Sequence, residues 1–371
     1  MTPDDVLAYR LASQLDTPAV VVDLDRLDRN VAAMGRAARD WNVSLRPHIK
    51  THKSRAIAML QLAGGASGLS TAKLDEAEAM ATVCGDLFVA YPIVTAAKAQ
   101  RVGDLASTVQ NFLVGLDHES AVDVLVAAAR RADQPQRVLV EVDSGLGRCG
   151  VDPSAAGELA RRAGRSGWLE VVGVFTHAGH AYRATGIDEV RAAARSEVEA
   201  VLRAAQTLPS SDVAPIISVG STPTTRVDVD RTGVTEVRPG NYVFLDRTQV
   251  HLGVATIEEC SLSVIATVVS AHQGRAVIDA GSKVFGLDRG GHGTASIEGF
   301  GVDTVTGLTV SWLSEEHGVI TDPDGRLRVG DRVDVVPNHA CVVTNLTAVL
   351  YGVRGGAIET TFTIDARGGG R

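Results

Sequence analysis

Aromatic residues are scarce in this chain: they make up 4% of its 371 residues, while hydrophobic residues of all kinds make up 45%. A core of that size must therefore be mostly Ala, Val, Leu and Ile. An excess of positive charge is also missing. Thirty-six Lys and Arg stand against 44 Asp and Glu, a net charge of −8, which argues against a nucleic-acid groove. Any cationic site has to be local, and that suits a phosphate-bearing cofactor. Cysteine is sparse and scattered. Cys84, Cys149, Cys260 and Cys341 form no CxxC, a pattern of free thiols in a reducing cytoplasm rather than of a disulfide framework. No apolar run is long enough to span a bilayer and no charged-then-apolar leader opens the chain, so a cytoplasmic protein without a membrane partner is expected.

What the chain does have is alternation. Met1 to Gln14 reads as a short lead-in helix, and Thr17–Leu24 as a buried strand. Asp25 is a candidate cap for the next helix, where Leu27, Val31 and Met34 recur at helical spacing. Eight further apolar runs follow: Ser44–Ile49, Gly68–Ser70, Leu87–Pro92, Asn111–Leu116, Arg137–Asp143, Leu169–Thr176, Pro215–Val219 and Thr235–Arg238. Between most of them lie Ala- and Arg-rich segments of helical period, such as Ala72–Val83, Ser120–Ala132 and Ile187–Leu208. Eight β-then-α units predict an α/β fold, a closed parallel (β/α)8 barrel, with a doubly wound open sheet as the alternative. Near Val250 the texture changes. Cys260–Val269, Arg275–Asp279, Gly307–Trp312, Arg332–Val336 and Ala348–Tyr351 are short β-rich runs separated by turn residues, which predicts a C-terminal antiparallel β domain. The expected division is residues 1–248 for the barrel and 249–371 for the β domain, with Thr17–Leu24 open to joining the latter. Asp288–Ser296, around His292, reads as a mobile loop, and the tail Ala366–Arg371 as frayed.

Barrel enzymes place reactive groups at the C-terminal ends of the strands. After the first barrel strand comes Arg46-Pro47-His48-Ile49-Lys50-Thr51-His52-Lys53, with two lysines and two histidines in eight residues. A lysine partly desolvated at such a strand end has a lowered pKa and a neutral amine ready to form a Schiff base. Lys50 and His52 are the candidate catalytic residues, and Lys50 and His48 candidate cofactor contacts. After the fifth strand comes Asp143–Gly150, carrying Arg148 between glycines. After the sixth comes Thr176–Tyr182, where His177 and Tyr182 are candidates to line a cofactor ring. After the eighth comes Arg238-Pro239-Gly240-Asn241-Tyr242, with Tyr242 a further candidate. The seventh leads into Ser218-Val219-Gly220-Ser221-Thr222-Pro223-Thr224. Gly220 would let the backbone approach closely, Ser218, Ser221 and Thr222 bring hydroxyls, and Pro223 starts a helix whose free N–H groups favour an anion. A phosphate cradle beside a Schiff-base lysine implies a cofactor with an aldehyde and a phosphate, a description that pyridoxal phosphate fits. Far downstream, His339 and Cys341 end a β run and would point to one side of an extended strand. Imidazole and thiolate together suit Zn²⁺ better than Mg²⁺ or Ca²⁺.

Taken together, PHIKTHK at Pro47–Lys53, DSGLGRCGV at Asp143–Val151, THAGHAY at Thr176–Tyr182, SVGSTPT at Ser218–Thr224, EVRPGNY at Glu236–Tyr242, DAGSK at Asp279–Lys283 and PNHACVVTNL at Pro337–Leu346 resemble one family. It is the fold-type III pyridoxal-phosphate family that contains D-threonine aldolase and metal-dependent D-serine dehydratase. The resemblance implies an alanine-racemase-like barrel, a C-terminal β domain and a homodimer with composite active sites. It also implies that Lys50 rather than Lys53 carries the cofactor and that His339 and Cys341 hold the metal. Family members with an HxC pair resemble the dehydratase and use zinc, whereas those with HxD resemble the aldolase and use harder ions such as Mn²⁺ or Mg²⁺.

The expected function is thus a pyridoxal-phosphate- and divalent-metal-dependent lyase of D-3-hydroxy amino acids. Dehydration to a keto acid and ammonia is the first expectation, and retro-aldol cleavage to glycine and an aldehyde the alternative. An amino-acid racemase on the same fold would need a second acid/base facing Lys50 and no metal. A non-catalytic cofactor carrier would need no C-terminal β domain.

Overall fold

The computed structural model describes residues 15–293 and 297–371; the lead-in helix expected over Met1–Gln14, and the last part of the loop expected to run to Ser296, lie outside the described residues. Strand β1 (Ala19–Asp23) comes first and is followed by a helix over Leu24–Asp40. Its cap is Asp23 rather than Asp25: the chain leaves the extended conformation at Asp23, whose carboxylate accepts from Arg26 N at 2.9 Å. Leu27, Val31 and Met34 line its buried face.

Eight parallel strands then form one sheet: β2 (Ser44–Leu45), β3 (Leu69–Thr71), β4 (Asp86–Pro92), β5 (Asn111–Leu116), β6 (Gln136–Glu141), β7 (Leu169–Phe175), β8 (Ile216–Val219) and β9 (Glu236–Val237). The spatial order is β2-β9-β8-β7-β6-β5-β4-β3. The two ends meet, since Ser67 N donates to Leu45 O and Ser70 N to Pro47 O, each at 2.8 Å, and His48 bridges Ser70 in parallel. The sheet is therefore a closed barrel. Its interior holds Phe88, Leu113, Leu139 and Phe175 as a buried cluster, with the two phenyl rings edge to face at 4.9 Å. Arg46, Ser218, Glu236 and Arg238 form a polar network inside the barrel. Arg46 Nε meets Glu236 Oε2 at 2.7 Å, Ser218 Oγ donates to Glu236 Oε1 at 2.6 Å, and Arg238 donates to Ser218 Oγ and Thr176 O.

The second sheet has nine strands: β10 (Leu262–His272), β11 (Gly274–Ile278), β12 (Gly301–Asp303), β13 (Thr309–Leu313), β14 (Gly318–Asp322), β15 (Arg332–Pro337), β16 (Val349–Arg354) and β17 (Ala357–Thr363) join β1. β1 sits between β10, antiparallel, and β16, parallel, so the first strand among the described residues belongs to the C-terminal sheet. Three of these strands, β12, β14 and β17, carry too few apolar residues to stand out in the sequence. Among the described residues, no helix is long and apolar enough to cross a membrane.

The C-terminal tail is docked rather than frayed. Ala366 N donates to Lys53 O at 3.2 Å, and Asp75 N donates to Arg371 O at 3.2 Å. Arg371 N in turn donates to the Asp75 carboxylate at 3.1 Å.

Candidate active site

Just after β2, the parallel bridge at His48 is the last rung of the ladder, and the chain tightens into one 3₁₀ turn, Ile49–Thr51. His48 Nδ1 accepts from Lys50 N at 3.4 Å and caps that turn. Gly240, from the far side of β9, comes so close that a Cβ there would lie 2.9 Å from His48 O. The turn aims Lys50 into a cavity of about 460 Å³ that His177, Tyr182, Ser221 and Thr222 also line. A neighbouring lobe of about 350 Å³, lined by Tyr91, Glu141, Arg148 and Gly220, shares His48, Lys50, His177 and Arg238 with it. Burial lowers the Lys50 ammonium below the ordinary lysine value; Arg148 and Arg238 push the same way, against the opposing pull of Cys341 and Glu76. Burial also holds His48 and His177 well below the usual histidine range, so both are neutral at pH 7.

His177 Nδ1 lies 3.3 Å from Gly220 O, which can only accept. Nδ1 therefore carries the proton, and Nε2 is left to accept from His292 Nε2, 3.1 Å away. His292 stacks on His177 at 5.0 Å and on Tyr182 at 4.7 Å, with its own φ at +53°. Burial, with Lys50 next in weight, pushes it down to about 3.

In the loop after β8, Gly220 has φ +131°, and a Cβ would meet Arg238 N at 2.6 Å. The close approach that the sequence assigned to a phosphate is thus made to the adjacent strand end, and Gly220 N is already bonded to Glu197 Oε1 at 2.7 Å. Ser221 caps the short helix Thr222–Thr225 in a capping box with Thr224. Thr222 is different. Its hydroxyl is buried on the cavity wall close to Tyr182 and, among the described residues, meets no partner in good hydrogen-bond geometry, so a donor stands ready for an anion.

Three expected site residues lie elsewhere. His52 is fully buried beneath the turn: its Nδ1 accepts from Ser54 N at 3.1 Å, and its Nε2 meets Gln61 Oε1 at 3.1 Å. Tyr242 accepts from Gln61 Nε2 at 3.1 Å and belongs to the same internal chain of bonds. Neither lines either lobe of the cavity, because the 3₁₀ turn sends Lys50 and His52 in different directions. The Ser218 hydroxyl is taken up between Glu236 and Arg238 inside the barrel. Arg148 does line the smaller lobe, facing Glu141, whose carboxyl burial pushes up to about 7 against the pull of Arg148.

His339 and Cys341 reach the cavity by a route other than the expected one. β15 ends at Pro337, His339 is the residue before the helix Ala340–Leu346, and Cys341 sits in its first turn. Asp246 holds that helix start by accepting from Ala340 N at 2.9 Å and from Asn241 Nδ2 at 2.8 Å. Thr51, the neighbour of Lys50, has its Oγ1 3.4 Å from Cys341 Sγ, and its carbonyl accepts from Thr344 Oγ1 at 2.5 Å. His339 Nδ1 lies 3.1 Å from Asp288 Oδ2. Burial alone would lower His339, yet the Cys341 sulfur and Asp288 raise it to about 10. Burial would likewise raise Cys341, but His339 outweighs it and draws the thiol down. With their protons displaced by a metal, the Cys341 sulfur and the His339 ring, oriented by the Asp288 carboxylate, form a donor set fit for a divalent ion.

Arg238, Asn241, Asp246, Asp288 and His292 were not among the expected site residues. Arg238 and Asn241 lie in the strand-end segment that the sequence marked, and His292 in the marked loop. Nothing local in the sequence distinguishes Asp246 or Asp288 from surface carboxylates.

A closed parallel barrel with a desolvated lysine at a strand end, a buried hydroxyl beside it and a His–Cys pair on the facing helix could hold a cofactor bearing an aldehyde and a phosphate, with a divalent metal next to it. Residues 22–248 match the family profile for the alanine racemase N-terminal domain, and a second profile, for a serine dehydratase domain, matches residues 261–353. The chain belongs to the fold-type III pyridoxal-phosphate family that contains D-threonine aldolase and D-serine dehydratase. It is 34% identical to D-threo-3-hydroxyaspartate dehydratase of Delftia sp. (strain HT23), over 88% of this chain and 91% of that one. It is 32% identical to D-threonine aldolase of Arthrobacter sp, over 99% of this chain and 95% of that one. A solved cysteine-to-alanine mutant of the D-threo-3-hydroxyaspartate dehydratase, in a metal-free form, superposes with a TM-score of 0.86 at 31% identity, covering 94% of this chain and 97% of that one. Members of this family depend on pyridoxal phosphate, and a metal-free form implies a metal in the complete enzyme.

Proposed function

We propose that the protein is a pyridoxal-phosphate- and zinc-dependent lyase of D-3-hydroxy amino acids whose reaction is dehydration to a keto acid and ammonia. The observation that carries this is the joining of Lys50 to the metal pair: Thr51 Oγ1 lies 3.4 Å from Cys341 Sγ, and Thr344 bonds the Thr51 carbonyl. One cavity therefore receives both an amine and a metal donor set. Lys50 would hold the cofactor aldehyde, Thr222 and the Ser221 turn its phosphate, and His339 and Cys341 the metal. When bound, pyridoxal phosphate supplies an electron sink for charge at Cα, and the metal a Lewis acid for the 3-hydroxyl.

The chain's own residues supply the rest. With its basicity lowered by burial, the Lys50 amine is the group to take the Cα proton. Neutral His48 and His177 flank it without adding positive charge that would lower its basicity further. His292, stacked across His177 and Tyr182, walls off one side of the cavity from water. Cys341 supports zinc, because a soft thiolate favours Zn²⁺ over Mg²⁺, and it supports the dehydratase outcome through the resemblance to family members that carry an HxC pair. The reading includes a cytoplasmic homodimer, in keeping with four free cysteines and with the family resemblance.

The test is to incubate the enzyme with D-serine and D-threonine and to assay separately for keto acid and for glycine plus aldehyde. Keto acid alone, lost with EDTA and restored by Zn²⁺, is the expected result. Glycine plus aldehyde would make the protein an aldolase. Full activity after chelation, with interconversion of enantiomers, would make it a racemase.

A further inference from the structure

One cation of the cavity has no counterpart in anything described so far. Lys73 follows β3, the short second strand of the barrel, and immediately precedes the helix Leu74–Met80. It is half-buried, and it lines both lobes of the cavity together with Lys50 and Arg238. Its Nζ sits 3.9 Å above the ring centroid of Tyr91, and Lys98 Nζ approaches the same ring at 5.2 Å.

The other cations around the cavity are engaged. Lys53 Nζ pairs with Glu76 at 3.6 Å and donates to Asn345 Oδ1 at 2.9 Å. Arg238 donates to Ser218 and Thr176, and Arg148 faces Glu141. The nearby Glu76 has its second oxygen bonded to Ala72 N at 2.7 Å, which turns that carboxylate toward the backbone and Lys53. Among the described residues, Lys73 makes no ion pair. An aromatic face beneath an ammonium attracts it but does not neutralise it. A half-buried ammonium directed into a cavity of this size is therefore matched to an anion that the protein does not itself supply.

We infer that Lys73, held on Tyr91, is a substrate-binding residue whose ammonium receives a carboxylate of the substrate. That carboxylate is either the α-carboxylate shared by all amino acids or the distal one of a dicarboxylic 3-hydroxy amino acid, and the chemistry at Lys73 is the same. The inference deepens the lyase reading and rests on it only for the identity of the substrate, not for the binding itself. The experiment therefore uses ligands without a 3-hydroxyl, which cannot be dehydrated. D-aspartate and D-alanine are titrated into the cofactor-loaded wild type and Lys73→Met, with binding followed by calorimetry and by the visible absorbance of the cofactor.

A lost charge-assisted bond should weaken binding by about ten- to a hundredfold. Loss for D-aspartate alone assigns Lys73 to the distal carboxylate and makes dicarboxylic substrates the preferred class. Equal loss for both ligands assigns it to the α-carboxylate. Lys73→Arg should recover part of the affinity in either case, which a purely structural role would not produce. Unchanged affinity for both ligands in a folded, cofactor-loaded Lys73→Met overturns the inference. Should that variant fail to fold, Tyr91→Leu leaves the lysine in place and removes its platform; a few-fold weakening of the same ligand is then expected, and none would overturn it. A protein that turns over no 3-hydroxy amino acid yet loses D-aspartate binding in Lys73→Met would sink the lyase reading and leave Lys73 standing.

Discussion

His52 can be removed from the chemistry and still leave a measurable trace in the pH dependence of stability. Burial holds its pKa down at about 4, against 6.5 for an ordinary histidine, and the Gln61 hydrogen bond only partly offsets this. Since Nδ1 accepts from Ser54 N, the proton of the neutral ring sits on Nε2 and faces Gln61 Oε1. Protonating Nδ1 would set two N–H groups against each other in a fully buried site. Above pH 6.5 the folded and unfolded chains both carry a neutral ring, and the contribution is complete. As the pH falls from 6.5 toward 4, the unfolded chain takes up a proton that the folded chain refuses, and stability is lost. From pH 7.5 to pH 5 the loss is about 2 kcal/mol, from the two pKa values and 1.36 kcal/mol per unit. His52→Gln keeps a side-chain amide for Gln61 but cannot titrate. At pH 7.5 it should be less stable than the wild type by about 1–2 kcal/mol, for the lost bond to Ser54 N. At pH 5 that gap should close or reverse. Urea unfolding of both proteins at the two pH values reads the gap directly, and kcat at pH 7.5 should stay within a few-fold. A gap that does not change with pH would refute the buried, neutral histidine. A folded His52→Gln with kcat lowered a thousandfold would return His52 to the active site.

Three further outcomes are expected. Lys50→Ala should abolish turnover and the visible absorbance of bound cofactor, whereas Lys53→Ala, whose ammonium is tied to Glu76, Asn345 and Gly369, should keep the absorbance; the reverse pattern in absorption spectra would exchange their roles. Gly220→Val forces a Cβ to within 2.6 Å of Arg238 N at a φ of +131°, so cofactor should dissociate more readily and the melting temperature should fall together with it, as thermal melts with and without added cofactor will report. Asp288→Asn removes the carboxylate that orients His339 and should weaken zinc binding by about 10- to 100-fold in a competition assay with a chromogenic chelator, while cofactor absorbance is retained; undiminished zinc affinity would show that His339 needs no such support.

The barrel was legible because β5 and most of β6 are buried on both faces and read as largely apolar runs bounded by turn residues. β3, though equally buried, was faint because only three residues pair, and the residue that matters after it, Lys73, hides behind a short strand. The HxC pair was legible as chemistry but not as geometry. The alternation that marks a strand continues in the letters past Pro337, while the backbone turns into a helix there, held by Asp246 from 94 residues away in sequence. Lys50 and His52 looked equivalent in the sequence because a three-residue 3₁₀ turn, which decides which of the two enters the cavity, leaves no periodic signal. Glu141, Asp288 and His292 became visible only when distant strand ends and loops were brought together.

The docked tail matters at the bench. Gly369 and Gly370 form part of the cavity wall, and a Cβ on Gly369 would crowd Asp75 Cβ at 2.9 Å and Ala366 O at 2.8 Å. Lys53 donates to the Gly369 carbonyl at 3.4 Å, so the last residues are fastened to the same turn that presents Lys50. A segment fused after Arg371 therefore starts one residue past the cavity wall. A hexahistidine tail placed there would bring metal-binding imidazoles to the wall of the cavity that His339 and Cys341 also line, where they would compete for a metal held by that pair. A cleavable tag, removed before kinetics or metal analysis, avoids mistaking the purification handle for a property of the enzyme.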